Sequence, residues 1–246
     1  MYYTLENSGV TTRAHYSSAN VNEIFLPLLR RLTVLREQKG SRVLALLAAP
    51  PAAGKSTLAA LLEALSRSEG GLCPLTAVAM DGFHRRQAWL LSHSFERDGR
   101  QVPMVKIKGA PQTFDVEKLL ERARRVAAGE DCPWPKYDRK VHDPVEDGRT
   151  VTGEIVLLEG NYLLLDADGW RELRGIADYS ISISADPEML RERLLRRHLA
   201  GGKSREDALA IVDGSDMANI RLCLARSARA DLSLTLEGDG EYRVLE

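Results

Sequence analysis

Residues 42–57 read RVLALLAAPPAAGKST, and the fold turns on how that stretch is parsed. From Arg42 to Ala49 the chain is almost unbrokenly apolar, and Pro50 and Pro51 end the run. So short and continuous a run suits a strand buried on both faces better than a helix. Gly54, Lys55, Ser56 and Thr57 follow, and then Leu58, Leu61, Leu62 and Leu65 fall on one face of a helix. A strand, a tight turn and a helix N-terminus in this order leave backbone N–H groups pointing into the turn, a fixed positive potential suited to a polyanion.

The same residues approximate the pattern G-x-x-x-x-G-K-[ST], whose chemistry explains each position. Lys55 is placed to reach the β and γ phosphates of a nucleoside triphosphate, Ser56 to hold Mg²⁺ through its hydroxyl, and Thr57 with the first helical amides to take the α phosphate. Pro51, Ala52, Ala53, Gly54, Lys55, Ser56 and Thr57 are therefore the expected nucleotide-binding set. Two residues depart from the pattern: Ala49 occupies the first glycine position, and Ala52 stands where many such loops carry another glycine. A left-handed alanine costs roughly 1–2 kcal/mol, so negative φ is expected at Ala52, in a loop stiffened by the two prolines.

Working outward, short apolar runs at Leu75–Met80, Glu154–Leu158 and Tyr179–Ser184 alternate with helical patterns such as Val116–Ala128. That alternation predicts parallel strands joined by right-handed crossovers, hence a three-layer α/β fold with a mainly parallel central sheet and helices on both faces, the P-loop NTPase architecture. From Val21, the residues Ile24, Phe25, Leu28, Leu29, Leu32 and Leu35 recur at helical spacing, with Asn20 and Glu23 placed as a capping pair and Pro27 as a kink or restart. Residues 1–20 lack periodicity and read as a polar tail or loosely docked arm, leaving one domain over residues 21–246. Arg97–Thr113 and Asp131–Thr150 read as long irregular loops of the kind that carry function. The ending, DLSLTLEGDGEYRVLE, reads as a strand, a D-G turn and a partner strand.

Composition narrows the partners. Lys and Arg number 34 against 35 Asp and Glu, a net charge of -1, so no global field draws in nucleic acid or a membrane surface. Cys73, Cys132 and Cys223 are odd in number and far apart, without zinc-ligand spacing, and read as reduced thiols. No signal-like N-terminus and no run near the ~18 apolar residues of a membrane span is visible, so a cytoplasmic location is expected.

Two acids follow apolar runs. Asp81, in Met80-Asp81-Gly82-Phe83-His84, stands where open α/β sheets place ligand groups. It reads either as a base that accepts a hydroxyl proton or holds Mg²⁺ through water, or as the cap of a following helix. Glu159, in Glu159-Gly160-Asn161-Tyr162, reads either as an organiser of Mg²⁺ and its waters or as a turn-type cap. His84 is either a substrate contact or a packed, hydrogen-bonded histidine.

Taken in order, GKST, MDGFH, KGAPQTFDV, PKYDRKVHDPV and LLEGNYLLL resemble the P-loop kinase branch that contains uridine kinase, phosphoribulokinase and bacterial pantothenate kinase. The resemblance runs from about Arg42 to Leu236 and looks closest to bacterial nucleoside/nucleotide kinase-like or fructose-transport-system kinase-like proteins. It implies ATP-dependent phosphoryl transfer to a hydroxyl of a small metabolite, with ATP and Mg²⁺ as cofactors. It also implies Asp81 as catalytic base, Glu159 near Mg²⁺, and Tyr137 with His142 in the acceptor pocket. The segment Lys108–Asp115 is similar to one in pantothenate kinase, which implies that Lys108 steadies an acceptor or phosphate and that Asp115 caps the next helix. From the residues alone, Tyr137–His142 also reads as a solvated turn.

After Asp186-Pro187, the run MLRERLLRRHLAGGKSRED places Arg193 and Arg197 one helical turn apart, beside Arg196 and ahead of a Gly-Gly hinge. In similar kinases such a helix is a lid, here about residues 187–205, whose arginines stabilise the transferring charge; the bland reading is a solvated helix face. Asn219 resembles a site-lining position. Three classes compete. A small-molecule kinase acting on a nucleoside or sugar-like compound leads, with a pantothenate-type kinase as its variant. A nucleotide-binding sensor without turnover comes next. A regulatory GTPase lacks its Asn-Lys-x-Asp motif here. The partner expected is a small-molecule substrate, with a homodimer left open.

Overall fold

In the computed structural model, residues 1–7, 10–97, 99–138, 140–238 and 240–245 are described. The strand read at residues 42–49 is β3 (Val43–Ala48), and every residue in it is buried. Its side chains divide by alternation: Val43, Ala45 and Leu47 enter one core, Leu44, Leu46 and Ala48 the other. A strand in this position must be apolar on both faces, which is why it reads as an unbroken run.

In chain order the elements are β1 (Tyr2–Asn7), β2 (Val10–His15), α1 (Leu26–Lys39), β3, α2 (Lys55–Ser68), β4 (Leu75–Ala79), α3 (Gln87–Ser92), β5 (Ser94–Arg97), β6 (Arg100–Pro103) and α4 (Val116–Ala127). They continue with β7 (Cys132–Asp138), β8 (Asp143–Val151), β9 (Ile155–Gly160), α5 (Glu172–Ile176), β10 (Tyr179–Ala185), α6 (Pro187–Ala200), α7 (Arg205–Ile211), α8 (Met217–Arg226), β11 (Leu232–Leu236) and β12 (Tyr242–Leu245). The central sheet has the order β12-β11-β10-β3-β9-β4, parallel except for the β11–β12 hairpin. Residues of α1, α2, α6 and α8 pack on one face, and those of α4 and α5 on the other. This is the three-layer α/β fold the alternation predicts. Among the described residues, no helix is long and apolar enough to cross a membrane.

Four local expectations are corrected. Residues 1–20 are not a tail: β1 and β2 form an antiparallel hairpin, with Tyr2 opposite His15, and Leu5 and Tyr16 are buried. Tyr16 stacks on Tyr242 and meets Phe25 edge-on, so apolar anchoring comes from a few aromatic rings rather than from a periodic face. Asn20 and Glu23 do not cap a helix. The Asn20 amide instead pairs with the backbone of Tyr242, Nδ2 donating to its carbonyl at 2.8 Å and Oδ1 accepting its N–H at 2.7 Å, ahead of a π-turn at Asn20–Phe25.

Asp131–Thr150 is largely the β7–β8 hairpin, with a register shift between Trp134 and Lys136. Its prolines hide the alternation, and Arg139 lies outside the described residues. Arg97–Thr113 contains β6 and two 3₁₀ turns, Met104–Ile107 and Pro111–Thr113. The C-terminal hairpin forms as read, although Asp239 of its D-G turn lies outside the described residues.

Candidate active site

The turn between β3 and α2 is built as a phosphate cradle. Gly54 has φ 82° at the start of α2, and the Ala53 N–H donates to the Pro50 carbonyl at 3.3 Å. The expectation for Ala52 fails: its φ is 65°, in the left-handed region. The loop backbone keeps the shape glycine normally supplies, and alanine bears the strain. Relieving that strain by Ala52→Gly gains ~1–2 kcal/mol, offset by ~0.4–1 kcal/mol of extra unfolded-state entropy. The melting temperature is therefore expected to rise by about 2–4 °C, measured calorimetrically; an unchanged or lower value would show the loop to be relaxed as it stands.

Lys55 opens α2. Ser56 Oγ donates to Glu159 Oε1 at 2.8 Å. Glu159 is only 6% exposed and lies in register with Leu47 of β3 and Ala79 of β4, at the end of the buried β9 strand. Asp81 emerges where β4 gives way to a 3₁₀ turn at Met80–Phe83. Asp81 lies inside that turn, and the following helix, α3, has Arg86 at its N-cap, so Asp81 does not cap it.

Ser56, Asp81 and Glu159 line one cavity of about 260 Å³, together with Tyr137, Lys136 and Arg149 of the β7–β8 hairpin. Sequence reading missed Lys136, Arg149 and Trp134. Trp134 Nε1 donates to the Ala79 carbonyl at 2.9 Å, and Arg149 Nη1 to the Ala77 carbonyl at 3.1 Å, so both fasten the hairpin along β4. For Trp134 and Lys136 the signal was the aromatic-bearing segment CPWPKYD, interrupted by two prolines, and Arg149 lies outside it.

The other acceptor-pocket residues divide. Tyr137 lines the cavity, and the His84 ring stands 5.1 Å from it, stacked on Phe114 at 4.0 Å. Burial pushes the His84 imidazole below its usual pKa, with the Asp81 carboxylate opposing and Lys108 adding to the shift. Lys108 does not line the cavity. Its ammonium donates to Gln87 Oε1 at 2.8 Å and to the His142 carbonyl at 2.9 Å, and sits 5.3 Å from the Tyr137 ring centroid. His142 has φ 55° and an exposed side chain, so it contributes its backbone to the turn that holds Tyr137. Asp115 caps α4 as expected, accepting from the Lys118 N–H at 3.3 Å, and also pairs with Arg85.

No family model matches the chain. The chain is 40% identical over 243 residues to YggC, an uncharacterized protein of Escherichia coli (strain K12), covering 98% of each. It is 29% identical over 211 residues to a candidate uridine kinase of Schizosaccharomyces pombe, covering 83% of this chain and 87% of that one. A solved structure of a candidate fructose transport system kinase from Silicibacter sp. TM1040 matches with a TM-score of 0.71 at 32% identity, over 82% of this chain and 98% of that chain. The chain is a P-loop kinase of the uridine kinase, phosphoribulokinase and pantothenate kinase type.

In this P-loop kinase, α6 is the arginine-rich helix read as a lid, ending at Ala200 before Gly201 and Gly202. Arg193 Nη1 donates to the Ala52 carbonyl at 3.4 Å and its Nη2 to the Gly238 carbonyl at 3.1 Å, so this arginine already touches the phosphate loop. Arg197 and Arg196 are exposed. The kinase holds α6 to the turn at Val212–Asp216 through Arg191–Asp213 and His198–Asp216 pairs. Asn219 is buried, close to Gly109.

Proposed function

We propose that the protein transfers the terminal phosphoryl group of ATP to a hydroxyl of a small nucleoside- or sugar-like metabolite. The observation that carries the reading is the convergence of Ser56, Asp81 and Glu159 on one cavity beside the phosphate loop. Lys55 and the first amides of α2 bind the triphosphate, Asp81 accepts the proton of the attacking hydroxyl, and Arg193 with Arg197 from α6 stabilises charge on the transferring group. Tyr137 supplies an aromatic wall for the acceptor, with His84 beside it, while Lys108 and the His142 carbonyl brace that wall.

Mg²⁺ suits the donor set. Among the described residues, no group of three or more His, Cys, Asp or Glu could hold a metal alone. A serine hydroxyl hydrogen-bonded to one carboxylate, with a second acid in the same cavity, fits an ion that keeps several waters and takes phosphate oxygens as ligands. Ser56 would hold it, with Glu159 and Asp81 ordering its waters; when bound, the ion neutralises charge on the phosphates.

The decisive measurement is ADP release across nucleosides, fructose and other sugars, ribulose 5-phosphate and pantothenate. Release is expected only with a matching acceptor hydroxyl. An acceptor-independent rate equal to the best acceptor-dependent one would sink the reading, and tight ATP binding without product across the panel would favour a sensor.

A further inference from the structure

The phosphate loop borders a second cavity, of about 540 Å³, on the other side of α2. Ser56, Ala59, Ala60 and Glu63 line the first cavity, whereas Gly54 and Thr57 line the second. A triphosphate held on the loop therefore has the acceptor cavity on one side and this larger space on the other. The size suits a bound small molecule, for which pockets run to roughly 300–1,000 Å³.

The N-terminal hairpin makes much of its wall. Tyr2, Arg13, His15 and Tyr16 line it, opposite Arg193 and Tyr242. The Arg13 guanidinium lies 4.5 Å from the Tyr2 ring centroid, and the Tyr2 and His15 rings are 4.9 Å apart, a layered aromatic and cationic surface with Tyr2 67% exposed. Among the described residues, no carboxylate lines the cavity, whereas Arg13 and Arg193 do. Tyr16 and Tyr242 are 3% and 6% exposed, and both border the cavity. A phenol at the edge of a cavity can offer its hydroxyl to a ligand bound there. The hairpin's place is set by backbone contact, because a Cβ on Gly240 would fall 1.7 Å from the His15 carbonyl oxygen.

We propose that the β1–β2 hairpin forms one wall of the nucleotide site, with the Tyr2, Arg13 and His15 surface stacking against the nucleobase and Tyr16 and Tyr242 hydrogen-bonding to the nucleoside. The inference rests on the kinase reading and adds a specificity-determining element to it. Flat bases stack on aromatic and guanidinium faces, so the wall recognises the nucleoside half and not the phosphates.

The test compares dissociation constants for ATP and for inorganic tripolyphosphate, by calorimetry, in the full chain. The double variant Tyr2→Ala with Arg13→Ala is expected to weaken ATP binding roughly 5- to 100-fold while leaving tripolyphosphate affinity unchanged. Tyr242→Phe, which keeps the ring and its packing, is expected to weaken ATP alone by roughly 5- to 10-fold. Unchanged ATP affinity in both variants overturns the inference and spares the kinase reading. Equal losses for ATP and tripolyphosphate overturn it too, because the hairpin would then act through the loop's shape. A wild-type protein that binds neither ligand overturns both.

Discussion

Asp81→Asn is expected to bind ATP with near-normal affinity and to turn over roughly 10²–10⁴-fold more slowly, the range lost when a positioned base is removed. Asparagine keeps the size of the side chain and one acceptor oxygen, so the cavity it shares with Ser56 and Glu159 keeps its shape. What is lost is a negative charge able to take a proton from the attacking hydroxyl. On the proposed reading the nucleotide should hardly notice, because its grip would come from the amides of the loop, Lys55 and Arg193. The result therefore splits into two readings: an unchanged dissociation constant for ATP beside a collapsed kcat. Near-normal turnover would remove Asp81 from its role, and a parallel loss of ATP affinity would make it a binding residue.

How far the sequence was legible depended on where each element draws its order. β3 and β9 are buried on both faces, so solvent exclusion alone dictates an apolar run, and their places in the chain were readable, though not their order in the sheet. That Ser56, Asp81 and Glu159 share one cavity was readable because Asp81 and Glu159 stand at the ends of apolar runs and Ser56 in the turn that follows another, and strand ends in a parallel sheet point at one edge. The N-terminal hairpin was not, since it is held by Tyr16 meeting Phe25 and Tyr242, residues far apart in the chain. The same holds for Asn20, whose amide is satisfied by Tyr242, a partner no local rule can name. At Ala52 local reasoning gave the wrong sign: alanine's own preference lost to the geometry of a loop fixed at both ends by strand and helix. The acceptor wall was half readable, because aromatic residues in a charged segment drew attention, but the prolines of β7 obscured its pairing with β8.

Gly82→Ala should prove as damaging as the loss of a catalytic group, although Gly82 touches no reactant. A Cβ there would lie 2.0 Å from the Pro135 carbonyl oxygen and 2.4 Å from its carbon, both backbone atoms that cannot rotate away. Either the turn carrying Asp81 retreats or the strand carrying Tyr137 does, and both line one cavity. Overpacking of this kind costs ~1–3 kcal/mol of stability. Displacing reacting groups by about 1 Å costs on the order of 10²-fold in rate. The expected phenotype is a folded protein with a lowered melting temperature and kcat/KM down by about two orders of magnitude. Gly175→Ala is the matched control, the same added methyl at a helical site with nothing within 4 Å, and it should be neutral or slightly stabilising. If both variants behaved alike, the close approach of β7 to the Asp81 turn would not be what shapes the cavity.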